Sequence, residues 1–440
     1  MTTIRTRLQM LIQRLRSGSF LGNVLILAGG TGLGQLIVVL ATPILTRLYG
    51  PEEFGVLTVF VSVLTILLSI SALRYDIAIP LPEEESAAIN LVALGFLVAS
   101  SFSLLSGVVS RLLRKQVEVW LPTPQMMAYL WWLLPVALFA GSVYQIAVYW
   151  HVRKKRFSRL SQARVSQSLA SAGAQLGMGL LSAGSIGLTG GYALGQITAG
   201  GVLFGSLVKE DRGLLHQITR NRIKDAAFRY RRFPLISSWS ALLNSGGLQL
   251  PSLLLLAFLG AATAGWFGLA QRVMGIPISL IGYSVSQVYL GEASRLRNEN
   301  PEAMRQLFLR TATRLFIFVG VPMMIGGGIA PWAFGFIFGE QWRASGWFII
   351  ALLPMFLGQV VAMPLSQSLN ILERQDLQLY WDAARVLFVT LSLSSSYYYF
   401  HLGAMATLTL YSVVMFLMYV VYLTLMYRQI SLSVSKWTQS

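Results

Sequence analysis

The stretch RLYGPEEFG, Arg47 to Gly55, lies between two long apolar runs and puts an arginine, two glutamates, a proline and two glycines into nine residues. Its glycines, Gly50 and Gly55, permit close backbone turning, Pro51 ends the preceding helix, and Glu52 and Glu53 suit the positive N-terminal end of the next one. The spacing predicts a tight turn between two helices. A fainter copy returns later: LYGPEEFGVLTVF (48–60) can be laid over FLGAATAGWFGLA (258–270), placing Gly50 on Gly260 and Gly55 on Gly265, with a shift of 210 in both cases. Each segment joins the first two helices of its half of the chain. Six helices per half is an even number, so a duplication would give both copies the same orientation about an axis along the membrane normal.

The flanking runs belong to a pattern that fills all 440 residues. Only 12% are charged, against roughly 25% in a soluble chain, and apolar stretches of bilayer-spanning length recur throughout. The fold class expected is an all-α polytopic membrane protein. Hydropathy predicts twelve helices, near 20–46, 54–73, 87–109, 127–150, 163–184, 187–208, 236–259, 264–290, 312–338, 345–369, 377–399 and 402–426. With the N-terminus inside, the inner segments hold 27 Lys and Arg and the outer connections five: Arg47, Arg111, Arg114, Lys115 and Arg343. That bias places both termini in the cytoplasm, and it accounts for the net charge of +17 without nucleic acid. Residues 1–19 carry four arginines and no cleavage site, so they predict a basic amphipathic segment at the membrane surface rather than a cleaved signal. An N-lobe (20–208), a basic inter-lobe loop (209–235), a C-lobe (236–430) and a cytoplasmic tail (431–440) complete the expected organisation.

Catalytic signatures are missing from the sequence. No lysine follows a glycine, so there is no phosphate-binding Walker loop, and neither HExxH nor GxSxG occurs. With no cysteine and three scattered histidines (His151, His216, His401), no metal site is expected. The run GGTGLG (29–34) superficially matches a dinucleotide loop, but it lies inside the first apolar span, where small residues serve close helix packing. The chain is not expected to be an enzyme, and no cofactor is expected.

What remains is charge kept at membrane depth. Arg272 falls inside the eighth helix (GLAQRVMGIP), and Asp382 and Arg385 inside the eleventh (YWDAARVLF); Arg47, Arg74 and Asp76 stand near helix ends. A mid-bilayer charge costs roughly 2.5–3.5 kcal/mol, so it should face a partner or a wet cavity. Asp382 and Arg385, three apart, share one helical face and can pair with each other. Arg272 has no acid nearby in sequence, which favours a cavity role, and its planar fork suits phosphate.

Several stretches have a family likeness: LTRLYGPEEFGVL (45–57), RYDIAIPLPE (74–83), GLAQRVMGIPISLIGYSVSQVYLGEASR (268–295) and IFGEQWRASGW (337–347). Over nearly its whole length the chain resembles the Wzx-type polysaccharide flippases. These belong to the MOP superfamily, with the MATE drug exporters and the lipid II flippases. The resemblance implies a multi-pass protein of the bacterial inner membrane, with two six-helix lobes around a central cationic cavity open alternately to each side. Its cargo would be undecaprenyl-pyrophosphate-linked oligosaccharide repeat units for surface polysaccharides such as the O-antigen of lipopolysaccharide. Arg272 would meet the pyrophosphate or acidic sugars, with Arg47, Arg74 and Arg385 as weaker candidates. Asp76 or Asp382 would carry a coupling proton if a proton or sodium gradient drives the cycle; passive flipping pulled by downstream polymerisation is the alternative. Membrane lipids surround such a protein, and a polysaccharide polymerase and a chain-length regulator are its expected partners.

Three rival readings have distinct signatures. A membrane-embedded polysaccharide polymerase or ligase needs a large external loop, and the longest outer connection here, 110–126, has seventeen residues. An ion-coupled antiporter of a small molecule, from the same superfamily, would carry acidic rather than basic pocket groups. A lipid II flippase would add helices beyond the twelve expected.

Overall fold

Helices of bilayer length follow one another with short connections, because in hydrocarbon each backbone amide must be satisfied within its own segment. The computed structural model describes residues 20–114, 116 and 124–437. The first half holds α1 (Phe20–Leu48), α2 (Pro51–Leu68), α3 (Glu85–Leu112), α4 (Pro124–Arg153), α5 (Phe157–Leu180) and α6 (Ser185–Glu210), and a short α7 (Arg220–Arg229) follows. Then come α8 (Ser238–Glu299), α9 (Pro301–Leu315), which runs through a π-turn into α10 (Val321–Phe338), α11 (Arg343–Leu365), α12 (Gln375–Tyr398) and α13 (Ala404–Trp437). The described residues include no strand. The N-terminal segment expected to be amphipathic, 1–19, lies outside them.

Nine segments of the described residues are long and apolar enough to cross a membrane, so the chain is a multi-pass membrane protein. One of the nine, Phe233–Arg297, has about three times the needed length, and α8 within it is broken at Gly260, whose φ of +84° and ψ of 173° leave helical space. Only glycine adopts such a φ without strain. The break gives two arms, 238–259 and 261–299. Two further helices of sufficient length, α5 and α12, are not among the nine; Arg159, Gln162, Arg164 and Gln167 dilute the first, and Asp376, Asp382 and Arg385 the second.

The described residues divide into two compact units. One contains residues up to Tyr49 and Val63–Leu242; the other contains Gly50–Ser62 and the residues from Leu243 onward. The start of α2, which the sequence groups with the first half, therefore clusters with the second.

In the first unit α1 lies against α5 so closely that a Cβ on Gly30 would stand 2.6 Å from the Ser161 Cβ. The GGTGLG run thus contributes to helix packing. Tyr49, at the end of α1, is 2% exposed and donates from its hydroxyl to the Gln175 carbonyl of α5 at 2.7 Å. α2 ends at Leu68, five residues earlier than hydropathy predicts, and the turns that follow include Leu73 and Arg74 in left-handed backbone (φ 46° and 62°). Two successive non-glycine residues in that region turn the chain sharply at a cost of order 1–3 kcal/mol each.

In the second unit α2 begins as its residues dictate. Pro51 occupies the first helical position, where its missing N–H is harmless. Glu53 reaches back to accept the Gly50 N–H at 2.6 Å, half of a capping box. Phe54 meets the fully buried Trp342 edge-on, with ring centres 4.8 Å apart.

From there α2 crosses the second arm of α8 at backbone contact. A Cβ on Gly55 would fall 2.7 Å from the Ala261 carbonyl carbon; one on Gly265 would fall 2.8 Å from the Pro51 carbonyl carbon and 2.9 Å from Gly55 N. A Cβ on Gly268 would stand 2.9 Å from Thr58 Cγ2. The pairing is reciprocal: positions 51, 55 and 58 meet 261, 265 and 268, and each of the latter is 210 residues beyond its counterpart. Reciprocal contact between equivalent patches marks a two-fold relation.

Candidate functional site

The crossing fixes where Arg272 sits. On α2 the residues Gly55, Thr58 and Ser62 are spaced three and then four apart, so they share a face. Gly265, Gly268 and Arg272 repeat that spacing on the second arm of α8. Ser62 and Arg272 are again 210 apart and stand about one turn beyond the crossing. Ser62 is 2% exposed, and its hydroxyl donates to Gln249 Oε1 at 3.0 Å on the first arm. Arg272 is part-buried. A guanidinium there sits on a glycine-lined face within a membrane-crossing helix, and it presents a flat array of donors that matches phosphate or carboxylate.

Arg385 lies in the same unit in a different setting. It is 4% exposed, and its Nη2 forms an ion pair with Asp382 Oδ1 at 2.9 Å and donates to the Asn244 carbonyl at 3.0 Å and to Asn244 Oδ1 at 2.9 Å. Its guanidinium carbon stands 4.8 Å from the Trp381 ring centre, and Trp381 stacks on Tyr422 at 4.3 Å. A Cβ on Gly247 would meet Arg385 Nε at 2.7 Å, so a glycine in the facing helix makes the room. Nε itself is buried without a hydrogen-bond partner. Asp382, also 4% exposed, is thus an ion-pair partner. Sequence reasoning anticipates the pair; it misses Asn244, Gly247 and Trp381, for which the polar-and-small run NSGG (244–247) is the available signal.

Arg47, Arg74 and Asp76 belong to the other unit. Arg47 is exposed in the last turn of α1. Arg74 is part-buried, with its Nε buried and unpartnered. Asp76 is 3% exposed in the connection between α2 and α3. Burial holds its carboxyl above the usual carboxylate range, while the neighbouring Arg74 charge and the Ile77 N–H pull the other way.

At one end of this unit lies a charge network that the sequence does not reveal. Asp211, 6% exposed, accepts from Trp150 Nε1 at 2.8 Å and from Arg156 Nη2 at 2.9 Å. Burial alone would raise its carboxyl, but the hydrogen bonds from Arg156 and Trp150 outweigh it, and it sits below the usual range. Arg159 pairs with Glu210 at 2.8 Å, and Lys154 pairs with Glu85. Basic residues between α4 and α5, which the charge bias would use only to orient the chain, thus also clamp the start of α3 and the end of α6. Between α3, α4 and α6 of the same unit lies an apolar hollow of about 610 Å³, bordered by Leu104, Pro135 and Phe139; its walls suit hydrocarbon rather than sugar.

Comparison with known proteins gives the site its context. Residues 44–346 match the family described as "Polysaccharide biosynthesis protein". The chain belongs to that family. A curated relative, the teichuronic acid biosynthesis protein TuaB of Bacillus subtilis (strain 168), is 30% identical over 155 residues. That match takes in 35% of this chain and spans about a third (32%) of the relative's length. Among solved structures, a lipid II flippase MurJ in an inward closed conformation aligns over 94% of this chain and 90% of its own, with a TM-score of 0.67 and 15% identity. A MOP superfamily transporter from Pyrococcus furiosus covers 96% and 98%, with a TM-score of 0.63 and 15% identity. An outward-facing multidrug resistance MATE transporter covers 96% and 98%, with a TM-score of 0.56 and 16% identity. The fold is that of these transporters, and the likeness to polysaccharide flippases stated from the sequence stands with it.

Proposed function

We propose that this member of the polysaccharide biosynthesis protein family is a flippase. It carries undecaprenyl-pyrophosphate-linked oligosaccharide repeat units across the inner membrane by alternating access, without chemistry on the cargo. Twelve crossings, with both termini inside, form two six-helix lobes. The reciprocal contacts at a constant offset of 210 support the duplication this requires. The observation that carries the reading is Arg272: a part-buried guanidinium inside a membrane-crossing helix, on the face that continues from the α2 crossing. In this role it holds the pyrophosphate, whose charge in low dielectric makes a bidentate partner worth far more than in water. Family membership points to a saccharide cargo, and the teichuronic acid relative favours an acidic one.

Replacing Arg272 tests the reading. Arg272→Ala should cut surface polysaccharide at least tenfold at unchanged protein level, and Arg272→Lys, which keeps the charge and loses the fork, should restore part of it. Normal glycan in Arg272→Ala cells removes that residue from the site. Translocation of defined lipid-linked sugars in vesicles, with and without an ion gradient, separates a flippase from an ion-coupled antiporter of small molecules.

A further inference from the structure

Basic side chains at one end of the first unit fall into two groups. Those at 154–159 are matched: Lys154, Arg156 and Arg159 pair with Glu85, Asp211 and Glu210. Residues 220–232 carry six more, Arg220, Arg222, Lys224, Arg229, Arg231 and Arg232, against a single carboxylate, Asp225. Among the described residues none of these six has a carboxylate within 4.0 Å.

The carrier of this charge is amphipathic. One face of α7, with Ile223, Ala226 and Ala227, packs into the core beside α3. The opposite side projects Phe228, 68% exposed, which the Arg231 guanidinium covers at 4.4 Å from the ring centre. Lys224, Arg229 and Arg231 border a hollow of about 690 Å³ with Phe228. A few residues on, Leu235, Ile236 and Trp239 are exposed by 66%, 66% and 65%. Their exposure has a cause, since the apolar span that begins at Phe233 enters the bilayer there. Phe228 and its basic border lie a few residues before the start of that segment, in the same unit.

We infer that α7 and its basic flank form a docking surface for anionic phospholipid headgroups of the leaflet it faces, with Phe228 set among the acyl chains and Lys224, Arg229 and Arg231 on the phosphates. Aromatic rings belong at the boundary of headgroup and chain. Each basic side chain close to an anionic surface contributes about a fivefold preference.

The chain has no cysteine, so Phe228→Cys carries a single fluorophore into reconstituted vesicles. Quenching by trace headgroup-spin-labelled phosphatidylglycerol is compared with quenching by the equally labelled phosphatidylcholine. The expected result is a several-fold stronger quench by phosphatidylglycerol, unaffected by inorganic phosphate. Replacing Lys224, Arg229 and Arg231 with Gln should bring that ratio to about one. The same label at Trp239, on the spanning helix, should be quenched by both lipids in both proteins, which shows that the neutralised variant is inserted. Equal quenching by the two lipids, no quenching by either, or a ratio untouched by the three substitutions overturns the inference. Loss of the preference in inorganic phosphate reassigns the surface to soluble anions.

Discussion

Gly265→Ala puts one methyl group where α2 and the second arm of α8 touch. In a free helix this change is stabilising by about 1 kcal/mol, because alanine is the better helix former. Here the new Cβ would stand 2.8 Å from the Pro51 carbonyl carbon and 2.9 Å from Gly55 N. Ordinary contact begins at 3.4 Å. The atoms in the way are backbone on a partner helix, so the relief is a shift of the whole crossing rather than a rotamer change. Overpacking of this kind costs about 1–3 kcal/mol. Net of propensity, a loss of up to about 2 kcal/mol is expected, which lowers the folded-to-unfolded ratio by up to about thirtyfold. Gly275→Ala on the same arm is the matched control, because no heavy atom lies within 4 Å of its Cβ; it should be neutral or stabilising. Thermal unfolding of the purified protein in detergent, followed by tryptophan fluorescence, reads both. The double variant Gly55→Ala/Gly265→Ala should cost less than the two single losses together, because both open one crossing. If Gly265→Ala proves as stable as Gly275→Ala, the reciprocal contact is not close-packed and the reasoning from it fails.

Two predictions concern the carboxylates outside the spans, and they have opposite signs. Asp211 is held below its usual range by Arg156 and Trp150. Its contribution is therefore present above the unfolded value of about 3.9 and is lost as pH falls through the folded one. Asp211→Asn should destabilise by about 2 kcal/mol at neutral pH, because Arg156 keeps only Glu210 as a carboxylate partner and Trp150 has a weakened acceptor, and the deficit should close on acidification in detergent melts. Asp76 is held above its usual range by burial. Its contribution is intact below about 3.9 and is lost as pH rises through the folded value. Asp76→Asn should thus gain stability relative to the parent as pH rises; parallel curves at every pH would show that Asp76 does not titrate as a buried acid.

Hydropathy made the long helices legible because a bilayer demands an unbroken apolar run, and a run of that length has few readings. It was weakest where polar residues sit inside a helix, so α5 and α12 rest on their neighbours rather than on their own composition. The turn at Gly50 was readable from Pro51 and Glu53, since both act locally. The turn that follows α2 was not, because Leu73 and Arg74 carry no local signal for left-handed backbone. The repeat was visible as two glycine pairs at one offset, but nothing in the sequence says that the repeated segments touch. The Asp382–Arg385 pair was local and therefore foreseeable; Asp211 with Arg156 and Trp150 joins residues 55 and 61 apart in sequence and was not.

The same contrast separates the arginines inside the spans. Arg385 has an acid one turn before it, a carbonyl and an amide oxygen in the facing helix, and a glycine opposite its Nε. An anionic cargo that drew on this guanidinium would first have to displace Asp382, and breaking a buried pair costs about 3–5 kcal/mol. Arg272 has no acidic residue within a turn on either side, and its face toward α2 is lined by glycines placed by the crossing rather than by a carboxylate. Arg385 is thus engaged in the packing of its unit, and the role proposed for Arg272 rests on its place about one turn beyond the crossing.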